Sequence, residues 1–441
     1  MPGLPVGVLS PREPFGPETG AGPAATPNRG PAVAVARQRI HLPPHSWRSA
    51  LAGTLRGDLW EGDATARFER AFADFAGVPD AVAVASGRAG LRFLFEALEL
   101  PPGSQVICSA FGYPVVPYLA QAMGLRPCFV DCEIGTLGMD PEALAKSITS
   151  ETAAVIATHL YGVPCRIREI AAISEAHGAI LIEDCAHCCG ASVGDRMAGA
   201  FGGAGYFSFE TSKPINTLGG GMVTARDEAV ARRVRELSRA EPPKDMRWLA
   251  QRLFRTSFEA AVTHPLLFEL AVHPALRLTS RGGESDDRFA SGYRPDEISL
   301  QGKLGRYTEY QARLGLAQLD RVLQQLDERR AKARRLIDRL QDRVHFQQPA
   351  EPDARANYML VTALFPEMKD VATALLRHGV DTKREYMRDC GRLFGSEQAF
   401  PNAARAEREV LHLPAYPELS DARIDRVADA VEQVVGVPRT Q

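Results

Sequence analysis

Four short segments carry side chains whose types and spacing suit carbonyl–amine chemistry. The first, Gly205-Tyr-Phe-Ser-Phe-Glu-Thr-Ser-Lys-Pro-Ile-Asn-Thr-Leu-Gly-Gly-Gly221, sets Lys213 between a strand-like run and a glycine run. An ordinary surface lysine would have charged flanks. These are apolar, hydroxylic and glycine-rich, and an amine desolvated at a strand end can form a Schiff base. The second, Ile180-Leu-Ile-Glu-Asp184, is an apolar strand ending in two carboxylates, which burial tolerates only beside a cation or a helix start. Taken alone, it reads equally well as a salt bridge or a helix cap. The third, Ala83-Val-Ala-Ser-Gly-Arg-Ala-Gly90, runs from a strand through a glycine turn into a helix. That turn offers backbone N–H groups and the positive end of a helix dipole to a phosphate, although such turns are also common as plain structure. The fourth, Ser109-Ala-Phe-Gly-Tyr113, follows another strand with a ring able to stack on a flat ligand. An imine-forming lysine, an acid for a pyridinium nitrogen, a phosphate turn and a stacking ring together describe a pyridoxal phosphate site.

These residues need a scaffold that brings strand ends together. Apolar runs at Ala81–Ala85, Gln105–Cys108, Arg126–Val130, Ala153–Thr158, Ile180–Glu183, Gly205–Phe209 and Gly221–Thr224 read as strands. Helical patterns such as Ala89–Leu98, Val116–Met123 and Ile167–His177 separate most of them. Strand and helix alternating at this spacing predict an α/β fold with a mainly parallel sheet and helices on both faces. Ligands of such sheets bind beyond the carboxyl ends of the strands. Residues 241–300 break the rhythm. There Arg252–Leu276 is partly helical but interrupted by His264, Pro265, Glu269, His273 and Pro274, and Gly282–Asp287 reads as an exposed loop. The stretch predicts an amphipathic insertion packed on the core; the alternative is a surface helix touching a membrane or a partner. A long helix from Thr308 to about Leu340 and a mixed α/β tail follow. The expected division is a Pro/Gly-rich disordered leader (1–35), a large cofactor domain (36–243), the insertion (244–300), and the long helix with a small C-terminal domain (301–441).

The composition is that of an ordinary soluble globular protein. The 441 residues carry a net charge of -2, which disfavours a bulk electrostatic grip on nucleic acid. No run approaches the ~20 apolar residues of a membrane span. Glycine and proline, 38 and 31 residues, concentrate in the leader and in the cofactor loops. Without an export signal, the eight cysteines read as thiols of a cytoplasmic protein. Cys185-Ala-His-Cys188 is formally a CxxC, but no second pair or suitably spaced histidines accompany it, so the cysteines are expected to fill core space and no metal is expected. His159 is expected to be a structural or pocket-wall residue.

At these residues the chain resembles the fold-type I, pyridoxal phosphate-dependent sugar aminotransferases of the DegT type. The resemblance rests on Ser86-Gly87, His159-Leu-Tyr-Gly162, Glu183-Asp-Cys-Ala-His187, Phe207-Ser-Phe209 with Lys213, and Gly219-Gly220. Gln311-Ala-Arg-Leu-Gly-Leu-Ala-Gln318 and Leu413-Pro-Ala-Tyr-Pro417 extend it to most of the chain. It implies that Lys213 holds the cofactor covalently and shuttles the proton, while Asp184 keeps the ring nitrogen protonated. It further implies that Tyr113 stacks on one ring face with Ala186 beneath the other, that His187 reaches the ring hydroxyl, and that Gly87, Arg88 and Ser208 hold the phosphate. The implied enzyme is a homodimer with active sites at the interface, moving an amino group from an amino acid such as glutamate to a keto-sugar, nucleotide-linked in the usual case.

The chain also departs from the pattern. The family's Asn-Tyr-Arg-Met run, whose Asn reaches the partner's cofactor phosphate, is replaced by Leu304-Gly305-Arg306-Tyr307, and Arg88 stands where Thr is usual. Trp60 occupies a position where relatives often have a small hydroxyl residue. Arg384-Glu-Tyr-Met-Arg388 replaces a Tyr-Pro-Pro-Leu-His segment that shapes the sugar-nucleotide pocket, and the insertion is longer than usual. The alternatives are a dehydratase or other lyase of the same fold, in which the lysine is typically His, and a non-catalytic cofactor-binding regulator.

Overall fold

Residues alternate between the two faces along each buried strand, so a sheet covered on both sides needs strands that are apolar throughout. The computed structural model, which describes residues 34–279, 305–384 and 387–436, has such a sheet. Its strands are β1 (Asp80–Val84), β2 (Gln105–Ser109), β3 (Arg126–Val130), β4 (Thr152–Thr158), β5 (Ile180–Asp184), β6 (Ala204–Ser208) and β7 (Gly221–Ala225). They stand in the order β1-β7-β6-β5-β4-β2-β3. Only β7 runs against its neighbours β1 and β6; the other pairings are parallel. Cys108, Ile156, Ile182, Tyr206 and Val223 pack into one core, against Leu91 and Leu94 of the Gly87–Ala97 helix. Their chain neighbours Ile107, Val155 and Leu181 pack on the opposite face with Ile167 and Ile170. Each fully buried Leu, Ile or Val contributes about 1.5–3 kcal/mol, and two-sided burial holds the register, since a one-residue slip would exchange the faces.

The Glu309–Leu340 helix opens with a capping box, Thr308 accepting from the Gln311 N–H at 3.1 Å. Its far end packs Leu336, Ile337 and Leu340 into a smaller core around an antiparallel sheet of His345–Phe346, Val361–Leu364 and Val410–Leu413. The leader and the loop expected at Gly282–Asp287 lie outside the described residues, apart from the leader's last two. Those two are a correction: Ala34 and Val35 are buried, because Val35 joins the small core and bridges Val380 while Ala34 packs against Phe268 and Leu276 of the insertion.

The described part of the insertion is a Met246–Val262 helix, a turn at Pro265–Leu267, a π-helical turn at Phe268–Val272 and a His273–Thr279 helix. The first helix buries Leu249 and Leu253 against Leu218, Tyr310 and Leu314. Among the described residues no helix is long and apolar enough to cross a membrane.

Candidate active site

The carboxyl ends of β4, β5 and β6 open into a cavity of about 790 Å³. All eight residues named from the sequence line it: Gly87, Arg88, Tyr113, Asp184, Ala186, His187, Ser208 and Lys213. Those residues are separated in sequence by up to 126 positions, and the parallel crossovers bring them together.

The phosphate turn is built by close backbone approach. Ser86 caps the Gly87–Ala97 helix, accepting from the Ala89 N–H at 3.1 Å, and bridges Gly220. A Cβ on Gly221 would lie 2.4 Å from the Phe207 carbonyl and 2.7 Å from the Gly87 nitrogen, so only glycine fits there. This leaves the first N–H groups of an eleven-residue helix beside Ser208, a cradle of the kind a phosphate takes. Arg88 lies at the same helix start and donates from Nη2 to the Tyr113 hydroxyl at 3.1 Å.

Lys213 sits in the loop after β6. Its N–H donates to the Glu210 carbonyl at 2.9 Å, and the loop closes by Thr217 N–H on the Phe209 carbonyl at 3.1 Å. Gln311 holds the following glycines: its Nε2 donates to the Thr217 and Gly219 carbonyls at 3.1 and 2.7 Å. Gly219 and Gly220 have φ of 104° and 114°, a region open to glycine. Lys213 Nζ lies 3.8 Å from Met359 Sδ, a contact from the small domain.

Asp184, the last residue of β5, accepts from the Ala186 N–H at 3.0 Å. Burial pushes its carboxyl up, opposed by that N–H, the Tyr206 hydroxyl and the Lys213 amine. A buried acid facing a cavity in this state matches a ligand that brings an N–H cation. His187 accepts from the Tyr161 N–H at Nδ1, 3.2 Å, which puts its own proton on Nε2, and its ring stacks on Tyr161. Nε2 is therefore the atom able to donate to a ring oxygen. The donor set, the cradle and the buried acid all fit pyridoxal phosphate.

The second acid of the β5 pair is structural. Glu183 is fully buried and accepts from the Gly199, Phe201 and Gly202 N–H groups at 2.8, 2.6 and 2.7 Å. His159 Nε2 donates to it at 3.1 Å, since Nδ1 already accepts from the Cys165 N–H at 3.3 Å. His159, Glu183 and Cys185 lie close enough to hold a metal ion, but the Glu183 oxygens and both His159 nitrogens are engaged by the chain itself. Burial pushes the Cys185 thiol up to about 12 and raises Cys188 as well, so neither is a ready thiolate. Both pack with Phe72 and Phe207.

Several supporting residues gave no signal in the sequence. Asn357 donates to the carbonyls of His187 and Cys189 at 3.0 and 2.9 Å, and so pins the loop that carries Ala186 and His187. Gly162 accommodates it, for a Cβ there would fall 1.8 Å from Asn357 Oδ1. The insertion is fastened above the lysine loop by Arg252 on Glu210 at 2.7 Å and by Thr211 on Glu259 at 3.2 Å. Only the glycine of the His159-Leu-Tyr-Gly162 run hinted at a close approach.

Residues 48–432 match the model of the DegT/DnrJ/EryC1/StrS aminotransferase family. The chain is 29% identical to the spore coat polysaccharide biosynthesis protein SpsC of Bacillus subtilis, over 86% of this chain and 91% of that protein. It is 38% identical to the L-glutamine:2-deoxy-scyllo-inosose aminotransferase of Streptomyces fradiae, over 44% of this chain and 45% of that one. Among solved structures, DesI in the presence of its TDP-sugar product superimposes with a TM-score of 0.70 at 25% identity, covering 92% of this chain and 95% of that one.

Proposed function

The chain belongs to the DegT/DnrJ/EryC1/StrS aminotransferase family, enzymes dependent on pyridoxal phosphate, and from that premise we propose that it carries the amino group of glutamate to the carbonyl carbon of a keto-sugar. The observation that carries this reading is the convergence of Lys213, Asp184 and the capped glycine turn on one cavity.

Bound there, pyridoxal phosphate supplies the electron sink that lets the donor's Cα proton leave. Lys213 would hold the cofactor through Nζ in the resting enzyme. Once freed by the donor's amine, the same nitrogen would take the donor's Cα proton and return it at the cofactor carbon across the intervening nitrogen, its reach fixed by the half-buried loop. Asp184 keeps a proton on the ring nitrogen: burial favours its neutral form, and a cation at contact reverses that preference. His187 would donate from Nε2 to the ring oxygen. Tyr113 and Ala186 would lie against the ring, while Gly87, Arg88 and Ser208 would hold the phosphate. The sugar acceptor would enter the same cavity, where Lys213 Nζ would move the proton in the opposite direction. Lys213 weighs against the dehydratase alternative, in which this position is typically His.

Purified enzyme loaded with cofactor is expected to be yellow, to change colour when glutamate is added, and to release one 2-oxoglutarate per site. The S. fradiae relative is named for L-glutamine, so glutamine forms the second arm of the same titration. No response to either donor would sink the reading.

Arg88→Ala isolates the phosphate grip. Arg88 compensates for the asparagine missing before the Glu309–Leu340 helix, and a hydrogen bond to a charged group contributes about 1.5–3 kcal/mol. The variant is expected to hold pyridoxal phosphate roughly 10- to 150-fold more weakly by equilibrium dialysis. Unchanged cofactor affinity would remove Arg88 from the phosphate site.

A further inference from the structure

The cavity is lined by two chemically different sets of side chains. Lys213, Asp184, His187 and Ser208 form the polar, reacting set. The insertion supplies an apolar set: Phe258 and Val262 from its first helix, Ala271 and Val272 from the π-helical turn, and Ala275 and Leu276 from the last helix. Ile40, Val115, Val116 and Leu119 also line the cavity. The wall is anchored in the fold. Phe268 and Leu276 are buried with Ala34 and Ala36, and His273 Nε2 meets the Leu376 carbonyl at 2.9 Å. Thr263 Oγ1 accepts from Arg39 Nη1 and the Ile40 N–H, both at 3.1 Å. Phe258 nevertheless remains 63% exposed, so apolar surface faces solvent in the cavity that Lys213 also lines.

Cations line the same region, but several are engaged by the chain. Arg37 forks onto Asp381 with two contacts of 2.7 Å, Arg255 pairs with Glu259 at 2.9 Å, and Lys383 donates to Gln38 Oε1 at 2.9 Å. Arg384 lies there too. A diphosphate would have to compete with Asp381, Glu259 and Gln38 for these groups. An aliphatic group needs none of them and gains by covering the wall.

We propose that the acceptor carries an aliphatic group beyond its keto-bearing ring, seated against Val262, Val272, Ala275 and Leu276: a sugar joined to an alkyl or acyl chain rather than to a nucleotide. The proposal rests on the aminotransferase reading of Lys213 and narrows its substrate class.

The test uses n-alkyl β-D-glucopyranosides with butyl, hexyl and octyl chains, titrated calorimetrically into the cofactor-loaded enzyme below their micelle concentrations. Each methylene buried on the wall is expected to tighten binding about fourfold, so octyl should exceed butyl by about 250-fold. Ala271 and Ala275 are exposed on the cavity side, which keeps substitutions there away from the core. Ala275→Asp and, separately, Ala271→Asp are each expected to cut the octyl-to-butyl ratio to below about tenfold while melting as the parent does. Three results overturn the proposal: a ratio near one in the parent enzyme, a parental ratio in both variants, or UDP-glucose binding more tightly than octyl glucoside. The titration needs no turnover. A steep chain-length series without a colour change on glutamate or glutamine would therefore condemn the aminotransferase reading, and a flat series with a colour change on either donor would condemn only the aliphatic acceptor.

Discussion

Lys213→Ala lowers amino transfer by about 10⁴-fold, the upper end of what a positioned proton-transfer group contributes. The upper end applies because the same nitrogen also holds the cofactor, so one truncation removes two roles. The fold survives the change. Lys213 is only half-buried, and its loop is held by backbone bonds, Lys213 N–H on Glu210 and Thr217 N–H on Phe209, which alanine retains. Lys213→Arg separates charge from chemistry, since a guanidinium keeps the positive charge but does not give up its proton. It should be as inactive as the alanine variant. The measurement is the single-turnover colour change on glutamate, followed with thermal melts of each protein. Turnover at the parental rate in Lys213→Ala would defeat the mechanism.

Glu183→Ala destabilises the protein by about 3–5 kcal/mol, the loss expected when one member of a buried charged network is removed. Three buried N–H groups, from Gly199, Phe201 and Gly202, lose their acceptor at once, and His159 loses the partner of Nε2. Water cannot readily replace it, because both Glu183 and His159 are fully buried. Glu183→Gln recovers only part of the loss, since its NH₂ would face an N–H. Denaturant midpoints measure both variants, and a loss under about 1 kcal/mol for Glu183→Ala would contradict the assignment. Chelator should leave the parental midpoint unchanged, because the Glu183 oxygens and both His159 nitrogens are already engaged by the chain. The adjacent acids Glu183 and Asp184 thus divide by strand geometry. Successive side chains point to opposite faces, so one lies under the 199–202 turn and the other faces the cavity.

Much of this molecule is written locally. The seven strands of the large sheet were legible because each is a short apolar run stopped by glycine, proline or a polar cluster, and their observed bounds differ from the expected ones by at most one residue at either end. Lys213, Asp184 and the Ser86-Gly87 turn were legible for the same reason: each follows a strand, and parallel strands deliver their carboxyl ends to one edge. The antiparallel direction of β7 was not, since a strand's composition does not state which neighbour it pairs with.

The sequence by itself determined the elements, the cofactor chemistry and the edge of the sheet at which that chemistry happens. Only the tertiary structure decided what surrounds it. Asn357 and Met359 reach the cofactor loops across a separation of more than a hundred residues, and Arg252 and Glu259 clamp the insertion over the lysine loop. The apolar stripe of the insertion could have faced the core, a membrane or a partner, because periodicity specifies an apolar face and not its occupant. The fold turned Val262, Val272 and Leu276 toward the cavity and left Phe254, Leu266, Leu270 and Leu278 exposed.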